Sequence, residues 1–369
     1  MPDVPARSQR RAPRLALLTE IPAPFRIPLF NALAERLELR VAFLRERQPS
    51  RRYRLHEDEL RFEWRVLPGL RLGGGSRWLL VNRGVGGAVD GADVVLLGGW
   101  NQLAFWQALA TARIRRTPAL VWVESTLHDA RPGFARRAKR LFARTADAFV
   151  VPGGAAEAYV RSFAPQADVT VAPNAVDMEL FASKVPERER LRAELGLERP
   201  CVLYVGRLAR EKGVDVLLEA ARGLDADLVL AGSGPEARRL HASAPPNARF
   251  LGQLDRDALP AWYAAADVLC LPSRSEPWGM TLNEGAAAGL PLVSSEAVGA
   301  AWELVEDGRN GFRVPTGDPR ALREALERLV GDEAFRRAAG ARSQELAARH
   351  TADAWADAVA GLATTLARR

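Results

Sequence analysis

Apolar residues fall along the chain in short continuous runs, separated by segments with helical period. In the first half the runs are 14–19 (RLALLT), 39–44 (LRVAFL), 92–97 (ADVVLL), 119–123 (ALVWV), 147–151 (DAFVV) and 168–172 (DVTVA). Helices are expected between them at 27–37, 100–114, 133–145 and 154–163. Runs apolar at every position need both faces covered, which predicts parallel sheets packed between helices. The alternation restarts at 201–206 (CVLYVG) and continues through 227–232, 248–252, 267–272 and 291–295. Between the halves, 181–200 is charged, holds Pro186 and Pro200, and reads as a linker with a short helix. Beyond Gly317 the pattern is helical to Arg369, with Asp318 as cap and Pro319 in the first turn.

A chain of 369 residues exceeds what one core usually supports. The expectation is an α/β protein of two doubly wound Rossmann-like domains, 1–175 and 176–351, facing an interdomain cleft. The last helix, 352–369, is expected to pack back on the first domain. In such sheets ligands sit at the carboxyl ends of the strands, so the loops after strands are the places to seek chemistry.

Composition narrows the function classes. The two cysteines, Cys201 and Cys270, lie in strand-like runs and read as core residues. The four histidines show no metal-ligand spacing, so no bound metal or cofactor is expected. The apolar run LALLT is too short for a signal-peptide core, and 92–112 is broken by Asp93, Asn101, Gln102 and Gln107. A cytoplasmic protein is expected. A net charge of +7 and a pI near 10.0 ask for an anionic partner. Between Arg113 and Arg144 nine basic residues face two acidic ones, Glu124 and Asp129. Within this run, 131–145 places Phe134, Ala138, Leu141 and Phe142 on one helical stripe with the arginines off it. That suits either electrostatic docking on an anionic membrane or a plain solvated face. The run lacks aromatic interleaving and any recognised nucleic-acid module, so no specific nucleic acid is expected as partner.

Three loops carry candidate chemistry. GRLAREKG (206–213) follows a strand and holds Arg207 and Lys212 between Gly206 and Gly213. Only three of the 52 basic residues are lysines, and a lysine offers a compact charge that fits between phosphate oxygens. SRSEPWGMTLNEGAAAGLP (273–291) places Glu276 before a helix start and Glu284 on the helix. Its first-turn N–H groups, at Gly279, Met280 and Thr281, form an anion site, and the carboxylates suit sugar or ribose hydroxyls. AGSGP (231–235) brings Gly232 and Gly234 to a third strand end, where the backbone can approach a ring closely.

In this order, GRLAREKG, AGSGP, SEPWGMTLNEGAAAGLP and LVEDGRNGFRVPTGDP resemble the C-terminal domain of retaining glycosyltransferase family 4, of the GT-B fold. VAPNAVD (171–177) extends the likeness to the domain junction, and the first half resembles the family more loosely. The resemblance implies a hexosyltransferase that uses a nucleotide-sugar donor and a glycan or lipid-linked acceptor, without a bound metal. It implies bacterial polysaccharide, lipopolysaccharide or glycolipid synthesis. Arg207 and Lys212 would contact the diphosphate, Glu284 the ribose, Glu276 the transferred sugar, and Gly279, Met280 and Thr281 the phosphate or sugar. Two departures concern the acceptor side. EIPAPFRIPLF (20–30) stands where relatives carry a glycine-rich loop, leaving Arg26 as its cation. Where relatives carry a histidine after the fourth strand, this chain has Glu124, with His128 further along the loop. A GT-B epimerase, a phosphorylase and a basic nucleic-acid binder are the alternative readings.

Overall fold

The uninterrupted apolar runs become buried strands. The computed structural model describes residues 11–46, 57–74, 77–129 and 134–369. The first domain contains β1 (Arg14–Thr19), β2 (Glu38–Phe43), β3 (Glu63–Val66), β4 (Gly69–Gly74), β5 (Arg77–Asn82), β6 (Val94–Leu97), β7 (Ala119–Trp122), β8 (Ala148–Val151) and β9 (Val169–Val171). Seven of these form a parallel sheet in the order β3-β2-β1-β6-β7-β8-β9, and β4 and β5 stand apart as an antiparallel hairpin. The second domain holds β10 (Cys201–Val205), β11 (Asp227–Ala231), β12 (Ala248–Gly252), β13 (Val268–Leu271), β14 (Leu292–Ser295) and β15 (Gly311–Val314). Its parallel sheet has the order β12-β11-β10-β13-β14-β15.

Both sheets wind outward from a first strand, then cross back to its other side. The crevice opens where the order reverses, at the carboxyl ends of β1 and β6 and of β10 and β13. Strand alternation explains how the first sheet is covered twice. Leu15 and Leu17 face Phe30, Trp122 and Trp355, whereas Ala16 and Leu18 face Trp100, Phe105 and Phe142. The first of these layers is closed by the last helix, Ala352–Leu366, which returns from the second domain to lie on the helix Ile27–Ala34. Trp355 is fully buried there, with ring centroids 5.1 Å from Trp122 and 6.1 Å from Phe30. At the rim, Arg36 reaches across to Asp353 and Asp357.

Several expectations change. The charged segment 181–200 is not a free linker. It forms the helices Met178–Ala182 and Arg188–Leu195, and Arg188 and Arg192 grip Asp267 at 2.7 and 2.8 Å, fastening it to the second domain. The region beyond Gly317 is three helices, the first capped as expected by Asp318, whose side chain accepts from the N–H of Arg320 and Ala321. β3, β15 and the β4–β5 hairpin had no counterpart in the sequence pattern. On the helix Phe134–Thr145, Phe142 is buried but Leu141 is 59% exposed, so the apolar stripe does not all pack inward. Lys139 leaves the basic face instead: it donates to the Tyr159 hydroxyl and sits over the Trp100 and Tyr159 rings at 5.2 and 5.1 Å. Residues 130–133 lie outside the described residues. Among the described residues no helix is long and apolar enough to cross a membrane. Cys201 and Cys270 are free and buried.

Because Trp355 is the keystone between the returning helix and the first sheet, Trp355→Ala should cost about 3–5 kcal/mol. A urea titration would show this as a lower midpoint, with the first-domain signal lost before or together with the rest.

Candidate active site

The loop after β10 is shaped by the loop after β13. Gly213 sits at φ +63°, and a side chain there would come within 2.1 Å of the Pro272 carbonyl, so only glycine allows the two loops to touch. The backbone N–H groups of Arg274 and Ser275 then donate to the Glu211 carbonyl at 2.7 and 3.2 Å. Arg274 closes the contact by holding both oxygens of Asp215, at 2.7 and 3.0 Å. This docking brings Lys212 onto Glu276: the two form an ion pair, with side chains 19% and 15% exposed. Arg207 pairs with Glu211 one turn away. The two groups that the sequence assigned separately, one to phosphate and one to sugar, are therefore direct neighbours.

The helix Met280–Ala287 starts beside them. Its cap, Gly279, has φ +103°, and a side chain there would meet Val298, Leu271 and the Glu276 side chain itself. In the first turn, Thr281 Oγ1 is buried without a hydrogen-bond partner. One turn further, Glu284 is half-buried, and the Tyr263 O–H donates to its Oε2 at 2.5 Å. Burial pushes the Glu284 carboxyl above its usual value, opposed in part by that hydrogen bond and by Arg256. Gly232 and Gly234 serve a packing need: side chains there would strike the carbonyls of Gly206 and Leu208 at 1.8 and 2.3 Å. The third loop thus lies flat against the first.

The opposite wall belongs to the first domain. Arg26 follows β1 and Glu124 follows β7, and the two pair at 2.9 Å. Arg26 is further held by Thr19 Oγ1 at 3.2 Å and by the face of Trp122, 4.4 Å from the ring centre. Arg26 is thus not a free surface cation. His128 lies in the single turn Leu127–Asp129, is exposed, and is not brought to this pair.

Sequence reasoning missed what joins the two walls. The Asn174 side-chain amide donates to Glu124 Oε1 at 3.1 Å, while its backbone carbonyl accepts from the Asn283 amide, also at 3.1 Å. His350 Nδ1 lies 3.3 Å from the same carbonyl, placed to donate an N–H to it. Asn283 in turn accepts from Trp278 Nε1 at 2.8 Å. Asn174, Asn283, Trp278 and His350 are all buried. The signal available was the asparagine in VAPNAVD and the odd placement of Asn283 in an alanine-rich helix. A further contact faces Thr126, buried after β7, toward Gly299, and Glu303 accepts from the Gly154 N–H at 2.7 Å. Among the described residues no group of three or more His, Cys, Asp or Glu side chains is gathered as for a metal ion.

Two facing Rossmann-like domains with a polar cleft at both switch points are the GT-B fold of glycosyltransferases. Within it, residues 187–346 match the family described as "Glycosyl transferases group 1". The chain is 36% identical over 215 residues to a D-inositol 3-phosphate glycosyltransferase of Xylanimonas cellulosilytica, covering 51% of this chain and 50% of the relative. It is 33% identical over 216 residues to a GDP-mannose-dependent alpha-(1-6)-phosphatidylinositol monomannoside mannosyltransferase of Mycolicibacterium smegmatis, covering 53% and 55%. The chain spans about half the length of the curated relatives it matches. In structure it is similar to HepE of Anabaena in complex with UDP and glucose, with a TM-score of 0.76, 19% identity, and 96% and 100% of the two chains covered.

Burial holds the His350 imidazole below the ordinary value of 6.5, partly offset by the Asn174 carbonyl. The unfolded chain therefore takes up this proton before the folded one does. Stability from this group is complete above the ordinary value and falls as the pH drops below it. His350→Gln should flatten the decline in urea midpoint between about pH 7.5 and 5.5, where a solvent-exposed histidine titrates. An unchanged slope in that variant would assign the decline to other groups.

Proposed function

We propose that the protein transfers a sugar from a UDP- or GDP-type nucleotide sugar to a hydroxyl of a glycan or lipid-linked acceptor, with retention at the anomeric carbon. One observation carries this reading. In a group 1 domain, Lys212 and Glu276 meet at the carboxyl ends of β10 and β13, beside the start of the helix that carries Glu284. A lysine alone would suit any anion, and a carboxylate alone any hydroxyl. Side by side at a switch point, they suit a molecule with a diphosphate joined to a sugar.

In the reaction, the bond between the anomeric carbon and the diphosphate oxygen breaks, and the nucleoside diphosphate leaves. Lys212 and Arg207 stabilise the charge that develops on it, which is where cations contribute most in a dry cleft. Each charge-assisted hydrogen bond of this kind contributes about 1.5–3 kcal/mol. The first-turn N–H groups at Gly279, Met280 and Thr281 add to this, and the Thr281 hydroxyl gains a partner. Glu276 accepts from hydroxyls of the transferred sugar and releases part of its hold on Lys212 as the phosphate arrives. Glu284, held by Tyr263, accepts from the ribose hydroxyls, and Gly232 and Gly234 flank the nucleoside. The acceptor oxygen attacks from the face the phosphate leaves, and its proton goes to a departing phosphate oxygen. Glu124 orients the acceptor rather than taking the proton, since Arg26 and Asn174 already hold both of its oxygens. With two cations on the leaving group, the reading requires no metal.

The similar proteins support the donor class: one is named for GDP-mannose dependence and another is described with UDP and glucose. The first is also named for a phosphatidylinositol mannoside, which supports a lipid-linked acceptor. The cytoplasm, where nucleotide sugars are made, is the compartment this donor implies. The basic helix Phe134–Thr145 is proposed to add electrostatic attraction to an anionic membrane there.

Lys212→Ala and Glu284→Ala should each lower turnover at least about tenfold to a hundredfold, the loss expected for one charge-assisted contact. Their unfolding midpoints should stay close to wild type. A panel of nucleotide sugars scored by calorimetry identifies the donor, and wild-type turnover in either variant would overturn the donor site. Retention is read by NMR of the product anomer, and a β-linked product from an α-linked donor would refute it.

A further inference from the structure

The β4–β5 hairpin presents an apolar face that nothing in the described chain covers. In its register Leu70 stands opposite Val81 and Leu72 opposite Leu79, so these four side chains share one face. Leu70, Leu72 and Leu79 are 70%, 56% and 49% exposed. The other face is firmly seated. Leu80 is buried and its N–H donates to Gln102 Oε1 at 2.8 Å. The Asn82 amide donates to the carbonyls of Leu44 and Leu67 at 2.7 and 3.1 Å. Three large leucines side by side on a fixed sheet face mark an interaction surface, unlike single exposed apolar residues.

Charge identifies the partner. Between Glu63 and Asp90 the sequence holds Arg65, Arg71, Arg77 and Arg83 and no carboxylate. Arg65, Arg71 and Arg83 are exposed. Exposed leucines on a stretch of chain that carries arginines and no carboxylate match an anionic lipid surface, whose headgroups suit guanidinium groups while its acyl boundary takes the leucines. A second copy of the same face would instead bring like charges together.

Position gives the surface a purpose. The hairpin leaves the sheet after β3 and is fastened to Leu44, after β2, and to Gln102, after β6. Arg26 after β1 and Glu124 after β7 project from this same rim. We infer that the β4–β5 hairpin docks the protein on an anionic membrane by inserting Leu70, Leu72 and Leu79 at the headgroup boundary, on the side where the acceptor reaches the cleft. The docking is argued from the hairpin itself; its service to the acceptor rests on the proposed function. It differs from the attraction offered by the helix Phe134–Thr145, whose exposed arginines at 137, 140 and 144 accompany a single exposed leucine, Leu141, rather than a face of them.

Co-sedimentation of the full chain with vesicles of phosphatidylglycerol and phosphatidylcholine, against phosphatidylcholine alone, tests this. Wild type should bind the anionic vesicles, and a clear fraction should stay bound at about 0.5 M NaCl, where surface charge is largely screened. The variant Leu70→Ser/Leu72→Ser/Leu79→Ser should lose that salt-resistant fraction, weakening binding about tenfold or more. The variant Arg137→Gln/Arg140→Gln/Arg144→Gln should lose only salt-sensitive binding. Leu72→Lys alone serves as a second probe should the triple variant melt lower than wild type. Equal salt-resistant binding by wild type and the leucine variants would overturn the inference. So would a wild-type dimer in sedimentation equilibrium that the leucine substitutions convert to monomer, since the face would then be a contact between copies. Nucleotide-sugar binding by calorimetry on the same samples separates the two readings. If the leucine variant binds donor normally but not vesicles, both stand; if no variant or wild type binds any donor, only the proposed function falls.

Discussion

The cleft depends on one residue with two hands. The Asn174 side chain holds Glu124 of the first domain, and its carbonyl receives Asn283 from the helix that starts at the donor loops. Asn174 and Asn283 are buried, so the hydrogen bond between them stands in place of water. Removing the amide would leave the Arg26–Glu124 pair to set its own position. The carbonyl itself is backbone and can lose only its donors, Asn283 and His350, which makes the backbone path at the junction as important as the side chain. The spacing of the two walls is therefore held at the cleft by a short chain of hydrogen bonds, beside the apolar seat of the last helix.

Around that joint, the two halves use the same physics for different ends. In the second domain the loops after β10, β11 and β13 lie on one another so closely that glycines at 213, 232 and 234 have no room for a side chain. Such packing fixes backbone groups, which suits recognition of a phosphate common to many donors. In the first domain the loops after β1 and β7 meet through side chains, Arg26 on Trp122 and on Glu124. Side-chain contacts are easier to vary without disturbing the fold, as expected where acceptors differ.

Much of this was legible in the sequence, and the limits have physical causes. Strands buried on both faces announce themselves as unbroken apolar runs, so β1, β10 and their neighbours were found within a residue or two. β3 and the β4–β5 hairpin were not, because half their positions face water or are glycine and arginine, and β15 lies in a polar turn-rich stretch. The residues of the proposed donor site stood out because glycine, lysine and glutamate stand at strand ends with few structural reasons to be there. The pairing of Lys212 with Glu276, 64 residues apart, was not recoverable, since it depends on the Gly213–Pro272 contact between their loops. Of the two residues weighed in the loop after β7, Glu124 faces the cleft and His128 does not, and the group that reaches Glu124, Asn174, lies fifty residues away where no local pattern could point to it.

The return of the last helix means that the chain passes between the domains twice, once at Asn174 and once near His350. The two crossings touch, with His350 Nδ1 3.3 Å from the Asn174 carbonyl. Two strands of backbone fastened at one place act as a pivot. A rotation of one domain against the other about that line would spare the Asn174 bonds, whereas sliding or twisting would break them and pull the Trp355 helix from its sheet. Displacement under such a rotation grows with distance from the pivot. Glu124 and Asn283, which adjoin it, stay in register, and the outer edges of the two sheets travel furthest.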